Sequence, residues 1–289
     1  LIPVLPAVFL LHPGIWRNVC PLATLNLLPR RHSLGWRLDA NLAKWGMLAS
    51  VALLAILVPA RRFVFNLDGR ALTIVIATVA LLALALGFLF DRKAGFCNFI
   101  CPVLPVEKLY GQDPIARVSN PHCPSCSVCT ARSCLDLAPR KALGLSRRSS
   151  AASFWPLAPH GAFAAAFPGF VVAYYLVPNT TLPHAGEVYA KIAAGAALSF
   201  IVIALLARVL RLHAEHAVPV LGGGTLVLYY WFGAASIAKE WELGFSFVLA
   251  IRTLAIALVT YWLARRLRYT GSNGPRSAVS LHTTSGMPA

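Results

Sequence analysis

The sequence predicts an all-α polytopic membrane protein with about six transmembrane helices, and three observations lead to this class. Only 12% of the 289 residues are charged and 58% are hydrophobic, which is about half the charge density of a soluble domain. The mean hydropathy is +0.67. Apolar segments of membrane-spanning length recur along the chain between basic loops. These features exclude a soluble globular domain, a disordered protein and a secreted disulfide scaffold.

The predicted transmembrane helices are six apolar segments. They cover residues 45–60, 71–90, 160–178, 187–210, 218–238 and 243–264. The first is short for a hydrocarbon core of about 30 Å, so Lys44 and Arg61 are expected to reach the interface from its two ends. Residues 1–12 are also apolar and are expected to be the last part of a helix that begins upstream.

The distribution of charge predicts the orientation in the membrane. Lys and Arg total 26 against 10 acidic residues, a net charge of +16. The cations bracket the apolar segments, which favours positive-inside topology and contact with anionic lipid over binding of nucleic acid. The 91–148 loop alone carries nine cations. We therefore expect a bacterial inner (plasma) membrane protein with its cysteine motifs and C-terminus in the cytoplasm, although the basic loop at 61–70 falls on the predicted outside.

The chain divides into four predicted parts. Residues 1–90 form an N-terminal membrane segment with the Cys20 motif and two helices, and residues 91–148 form a cytoplasmic cysteine-rich loop. Residues 149–268 form a C-terminal membrane segment of four helices. Residues 269–289 are rich in Ser, Thr and Gly without an apolar period, which predicts a disordered tail.

Seven cysteines carry the chemistry, and all of them lie at predicted helix ends or in the loop. Cys123, Cys126 and Cys129 follow one another at two-residue gaps, and Cys134 comes next. Three thiolates at this spacing can surround one cuboidal iron–sulfur cluster. Zinc sites favour pairs of C-x2-C units separated by a longer loop, so an iron–sulfur site is the preferred interpretation.

Two Cys–Pro pairs lie outside this triple. Cys20 precedes Pro21, and Cys101 precedes Pro102 at the end of a Cys97-x3-Cys101 motif. In ferredoxins the cysteine before a proline is the remote ligand of a cluster, so Cys20 and Cys101 are candidate remote ligands, with Cys97 beside them. The alternative is that each is a small buried apolar residue before a turn.

The stretch GFCNFICP after a membrane helix, followed by the 123–134 run, resembles the membrane-bound polyferredoxin or 4Fe–4S electron-transfer family. That family includes the quinol-oxidising subunit of periplasmic nitrate reductase, the nitrous-oxide reductase maturation regulator and the cbb3-oxidase assembly ferredoxin. Cys97 and Cys101 match one C-x3-C-P motif of the family. Cys20 matches the second cysteine of another, in which Trp16 stands in place of the first.

The resemblance covers roughly residues 10–145 and implies a cytoplasmic ferredoxin-like iron–sulfur loop. The chain departs from the family pattern in two ways. The last gap of the cysteine run is four residues with Leu135 instead of proline, and the chain has one ferredoxin run where the family usually has two.

The number of clusters stays open. Two all-cysteine [4Fe–4S] clusters need four thiolates each, and the chain has seven cysteines. Either one cluster forms, or two form with one non-cysteine ligand or an open iron, for which His122 and Asp136 are candidates. One workable division pairs Cys123, Cys126 and Cys129 with one remote cysteine, and Cys97 and Cys134 with the other.

These features predict a membrane-anchored electron-transfer subunit of a respiratory or photosynthetic complex, a redox component without catalytic residues of its own. The alternatives are an assembly or maturation factor that reduces a membrane enzyme or delivers metal to it, and a structural subunit. The expected cofactors are one or two [4Fe–4S] clusters. Whether a quinone also binds stays open, and haem is not expected. The expected partners are other membrane-complex subunits, a redox donor or acceptor protein and the lipid bilayer, and no nucleic acid.

Two features inside the predicted spans are expected to contact neighbouring helices, a cofactor or another subunit. Arg252 lies in the middle of the last span, where a charge is costly. Its expected partner is a carbonyl-rich kink, a quinone oxygen, a cofactor carboxylate or another subunit. Gly222–Gly224 and the Pro168-Gly169 pair are expected to permit close packing or to make room for a partner.

Overall fold

The computed structural model describes residues 4–36, 38, 40–90, 95–116 and 154–272, and every regular element within them is helical. Ten α-helices are present in this part of the chain. They are α1 Leu5–Leu11, α2 Pro13–Val19, α3 Pro21–Leu27, α4 Ala40–Ala60, α5 Gly69–Leu89, α6 Leu104–Tyr110, α7 Pro159–Leu176, α8 Ala185–Val209, α9 Ala214–Glu240 and α10 Phe245–Ser272. One π-turn, Arg61–Phe65, follows α4, and a second, Phe96–Ile100, precedes α6.

Five helical segments in the described ranges are long and apolar enough to cross a membrane. They are Asn41–Phe65, Gly69–Leu89, Leu182–Val209, Ala214–Glu240 and Phe245–Arg266. These segments coincide with five of the six predicted spans, which confirms an all-α membrane protein. The sixth predicted span, 160–178, corresponds to α7, an 18-residue helix that contains Pro168. The apolar segment at 1–12 contains the short helix α1, whose Phe9 and Leu10 are fully buried in the main core.

The central helix of the bundle is α7, which packs against α4, α8 and α9. Its buried face carries three phenylalanines, and the Phe163 and Phe167 rings stack with their centroids 4.6 Å apart. At Gly169 the helix approaches α8 so closely that a Cβ atom would lie 2.6 Å from the Cβ of Ser199. The Ser199 hydroxyl donates to the carbonyl of Ala165 across this contact, at 2.8 Å. The absence of a side chain at Gly169 thus permits the close packing that the Pro168-Gly169 pair predicted.

The glycine run of α9 has a similar role toward its neighbours. A Cβ at Gly222 would lie 3.2 Å from Leu109 of α6, and a Cβ at Gly223 would lie 2.9 Å from Val259 of α10. Gly224 has open space around it. Gly222 and Gly223 therefore allow α6 and α10 to approach α9 closely. Helix α6 is the short helix that follows the Cys97–Cys101 motif.

Interactions between loops define two ends of the bundle. The cysteine end comprises residues 12–36, 95–116, 154–158 and 210–213, together with the last turns of α10. There the Trp155 indole donates to the carbonyl of Leu212 at 2.9 Å. At the opposite end, residues 61–68 and 177–184 meet, and the Thr180 N–H donates to the carbonyl of Arg62 at 2.9 Å. This arrangement agrees with the alternation predicted from the sequence, because the 61–70 loop lies away from the cysteines.

Helix α10 continues to Ser272, so the first residues of the predicted tail are helical. Residues 273–289, the rest of that predicted tail, lie outside the described residues. Residues 117–153 also lie outside them, and they include Cys123, Cys126, Cys129 and Cys134 with the alternative ligands His122 and Asp136.

Candidate functional site at the cysteine end

Cys20 and Cys101 occupy two similar breaks between helical segments. Cys20 lies between α2 and α3 with φ −66° and ψ 121°, and Cys101 lies between a π-turn and α6 with φ −58° and ψ 123°. The carbonyl of each cysteine accepts from the N–H three residues later, at 3.1 Å for Cys20 and 2.9 Å for Cys101. A proline follows each cysteine and has no N–H to donate, which helps to set the break at this position.

The two breaks belong to a short sequence repeat that the whole-helix patterns do not reveal. The first arm, residues 14–21, begins with Gly14 and ends in Cys–Pro, and the second arm, residues 95–102, begins with Gly95 and ends in Cys–Pro. In this register Trp16 stands where the second arm has Cys97. The arms differ in one respect: the Cys20 N–H donates to the carbonyl four residues earlier, and the Cys101 N–H donates to the carbonyl five residues earlier. Such π-turns are common at functional sites.

All three described cysteines border one small cavity between the two arms. Cys20, Cys97 and Cys101 line it together with Trp16, Arg17 and Glu107, and apolar Ala23, Phe96 and Val103 complete the wall. The open space is about 10 Å³, which is room for one water molecule. Within the described ranges, no three His, Cys, Asp or Glu side chains stand as a group that could hold a metal ion. With the side chains in their present positions this cavity therefore has no room for a metal cluster.

A buried ion pair joins the first arm to the second arm and to α6. The Arg17 guanidinium donates from Nε to Glu107 Oε1 at 2.5 Å and from Nη2 to Glu107 Oε2 at 3.0 Å. Nη2 also donates to Asn98 Oδ1 at 2.7 Å. The Arg17 and Glu107 side chains are only 2% and 5% exposed. This network fixes the Cys20 arm relative to the Cys97–Cys101 arm.

The surroundings of Cys101 oppose a free thiolate. Burial raises the pKa of the Cys101 thiol well above its ordinary value, and the neighbouring Cys97 raises it further. Glu107 acts in the same direction, while a hydrogen bond from the Val103 backbone and the charge of Arg17 lower the pKa. Without a positive partner the thiol is therefore protonated at neutral pH, and a bound metal would provide that positive partner.

Lys108 belongs to the same region. Burial lowers the pKa of its ammonium group to about 8, and the positive charge of Arg17 lowers it further, while Glu107 acts in the opposite direction. The sequence interpretation treated Lys108 as one of many cations of a basic loop. The structure instead places it in the helix that carries Glu107, beside the arms.

The chain just before residue 117 is held by the ends of α1 and α10. The Ile115 N–H donates to the carbonyl of Leu10 at 2.8 Å, and the Arg265 guanidinium donates to the carbonyl of Ile115 at 2.5 Å. The Trp262 indole donates to the carbonyl of Asp113 at 2.9 Å, and the buried Asp113 carboxylate lies 3.9 Å from the Arg266 guanidinium. These contacts fix the point from which the cysteine-rich loop leaves the bundle.

Cations toward the opposite end have different partners. The Arg252 guanidinium donates from Nε and Nη2 to the carbonyl of Trp231 at 3.1 and 2.9 Å, and it lies 4.2 Å from the centroid of the Trp231 ring. The Arg62 guanidinium donates to the carbonyl of Tyr174 at 2.8 Å and lies 4.3 Å from that ring's centroid. Of the partners expected for Arg252, the structure shows a backbone carbonyl, and it adds an aromatic ring that no sequence pattern identified.

Comparisons of the chain with models of protein families, with curated proteins and with solved structures found no match. The chemistry of the site follows from its donor set. Cysteine thiols are the ligands that iron–sulfur clusters and other thiophilic metals use, but in their present positions Cys20, Cys97 and Cys101 do not form a group that could hold a metal ion. The buried Arg17 guanidinium also donates to the backbone carbonyl of Cys97 at 3.5 Å, and outer contacts of this kind can orient a ligating residue.

Proposed function

We propose that this chain is a membrane-anchored electron-transfer subunit that carries one or two [4Fe–4S] clusters at its cysteine end. The observation that carries this proposal is the convergence of Cys20, Cys97 and Cys101, which are distant in sequence, on a single cavity. Cysteine thiolates are the usual ligands of iron–sulfur clusters. The Cys123–Cys134 run supplies further thiolates of the same kind.

The shared cavity favours one division of ligands over another. Because Cys20, Cys97 and Cys101 border the same space, we assign all three to one cluster. The division that gives Cys20 and Cys101 to different clusters is then disfavoured. Cys123, Cys126 and Cys129 form the second ligand set where two clusters are present, and Cys134 is available to either. When bound, each cluster supplies one-electron transfer.

The residues around the three cysteines hold the ligands and tune the charge. Arg17 binds Glu107 and Asn98 at once, so it fixes the separation between the two arms. Its positive charge favours thiolate ligands, and Glu107 offsets part of that effect. The Phe96 and Val103 side chains limit the entry of water, which favours retention of a cluster that water and oxygen would degrade.

In the proposed topology the cysteine end faces the cytoplasm of a bacterial inner membrane. The loops of that end carry most of the cations, as the positive-inside rule requires. Six crossings are proposed, with α7 as the sixth, because α7 begins beside residues 154–158 at the cysteine end and is followed by residues 177–184 at the opposite end. A reporter that is active only in the cytoplasm, fused after residue 270, should be active, and activity of a periplasmic reporter at the same site would overturn the orientation.

The proposed function is tested by EPR spectroscopy of the full chain, purified without oxygen and reduced with dithionite. Wild type should give the signal of a reduced [4Fe–4S] cluster. Cys101→Ala should lose or change that signal, whereas Val103→Ala, which alters the same cavity wall without removing a thiol, should keep it. Wild-type protein without a signal in either oxidation state would contradict the proposal, and equal spectra for both variants and wild type would remove Cys101 from the ligand set.

Association separates a subunit from an assembly factor. A stable subunit should co-purify in fixed ratio with a respiratory or photosynthetic complex. A factor that reduces or loads another enzyme should associate only while that enzyme matures.

A further inference from the structure

We propose that the turn between α8 and α9, residues 208–213 at the cysteine end, binds an anionic phospholipid. The lipid phosphate lies against Arg208 and Arg211, and the acyl chains contact the apolar side chains of the same turn. This inference goes beyond the proposed function, because it involves neither the cysteines nor a cluster.

Helices α8 and α9 end in the same backbone motif at opposite ends of the bundle. After α8, Arg211 has a φ of 50°, and the Leu212 N–H donates to the carbonyl five residues earlier at 3.0 Å. After α9, Glu242 has a φ of 52°, and the Leu243 N–H makes the equivalent hydrogen bond at 2.8 Å. This hydrogen bond is typical of a Schellman cap, in which glycine is the usual residue at the left-handed position. Each helix therefore ends with a charged residue in a conformation that favours glycine.

The two caps differ in charge. The cap at the cysteine end has Arg208 and Arg211, both exposed, and the cap at the opposite end has Lys239 with Glu240 and Glu242. Among the residues that the structure describes, no carboxylate pairs with Arg208 or Arg211. A side chain other than glycine costs free energy in the left-handed conformation, and no ion pair within the described residues offsets that cost for Arg211. The arginine cap therefore presents two unpaired cations to a ligand.

The position of the turn favours a lipid as this ligand. The apolar segment Leu182–Val209, which is long enough to cross a membrane, ends where the turn begins. Val209 and Leu210 lie between the two arginines in sequence and are 76% and 60% exposed. The Trp155 indole, a group enriched at membrane–water boundaries, donates to the carbonyl of Leu212 and holds this turn. An anionic phospholipid offers acyl chains to the apolar side chains and a phosphate to the cations, whereas a soluble acidic protein matches the charge alone.

The test is hydrogen–deuterium exchange of the full chain in neutral detergent, followed in peptides that cover the α8–α9 turn. Phosphatidylglycerol should slow exchange of the turn at lower concentration than phosphatidylcholine does. Arg211→Gly removes the guanidinium and gives the backbone its favoured residue, so the fold is kept. It should raise the midpoint of the phosphatidylglycerol titration about fivefold, the loss expected for one cation near an anionic surface. Glu242→Gly makes the same backbone change in the other cap and should leave this midpoint unchanged.

Three outcomes would overturn the inference. The first is an equal phosphatidylglycerol midpoint for Arg211→Gly and wild type. The second is equal protection of the turn by phosphatidylcholine or by sodium phosphate, which would assign the effect to apolar contact alone or to a free anion. The third is no protection by any lipid, which would favour an acidic protein partner. Iron and sulfide are measured in the same preparations, so a failure of this inference is distinguished from a failure of the proposed function.

Discussion

The two ends of the bundle differ in how they stabilise arginine. At the cysteine end, Arg17 and Arg266 lie against the carboxylates of Glu107 and Asp113, and the side chains in both pairs are almost fully buried. Toward the opposite end, Arg62 and Arg252 donate to backbone carbonyls and lie over aromatic rings. Burying two opposite charges is costly and contributes little net stability. The paired charges therefore indicate a site with fixed geometry, whereas the carbonyl and aromatic partners indicate adaptation to the membrane boundary.

The largest expected effect comes from breaking the Arg17–Glu107 pair. Glu107→Gln leaves the buried Arg17 charge without its carboxylate, which should cost about 3–5 kcal/mol of unfolding free energy. The measurement is denaturant unfolding of the protein in detergent. The double variant Arg17→Met with Glu107→Met is the control and should recover much of the loss, because no buried charge remains. Equal stability of Glu107→Gln and wild type would show that the ion pair does not hold the arms.

A smaller loss is expected where the chain before residue 117 is held. Trp262→Phe removes the indole that donates to the Asp113 carbonyl, and the loss of this buried hydrogen bond should cost about 0.5–1.5 kcal/mol. Trp241→Phe is the matched control, since Trp241 is 74% exposed at the tip between α9 and α10. The same unfolding assay compares the two variants, and similar losses in both would argue against a special role for the Trp262 contact.

The opposite end should respond weakly. Arg252→Gln removes a cation that lies over Trp231 at a partly exposed position, and such contacts contribute about 0.5–1 kcal/mol. A loss as large as that of Glu107→Gln would mean that Arg252 has a carboxylate partner in another subunit, and the contrast between the two ends would then fail.

The pH dependence of stability provides a separate test, through Lys108. Its pKa in the folded chain is about 8, below the ordinary value of 10.5. Between these values the unfolded chain binds more protons than the folded chain, so stability should rise as the pH increases from 8 to 10.5. Melting temperatures across this range should show the rise, and Lys108→Met should flatten it. An equal rise in the variant would assign the effect to other groups.

The sequence predicts much of the fold because apolar length is a local property. Segment 71–90 corresponds to Gly69–Leu89, and segment 187–210 corresponds to Ala185–Val209. The predicted span 160–178 likewise corresponds to Pro159–Leu176, an 18-residue helix that contains Pro168. The cysteine spacing also selected Cys20, Cys97 and Cys101, which the structure places around one cavity.

The partners of those cysteines could not be predicted in the same way. Arg17 and Glu107 are separated by 90 residues, and no local spacing in the sequence connects two charged residues so far apart. Trp231 could not be assigned to Arg252 because a backbone carbonyl leaves no trace in the sequence. The glycine and the Cys–Pro pair at matching positions of the two arms can be recognised in the sequence. Only the structure shows that the two cysteines have nearly the same backbone angles.

The central claim is that the cysteine end holds an iron–sulfur cluster, and metal analysis of the full chain tests it most directly. The protein is purified without oxygen, and iron, zinc and acid-labile sulfide are measured per chain. The account predicts about four to eight iron atoms with a similar amount of sulfide, as one or two [4Fe–4S] clusters require. About one zinc per chain without sulfide would contradict it.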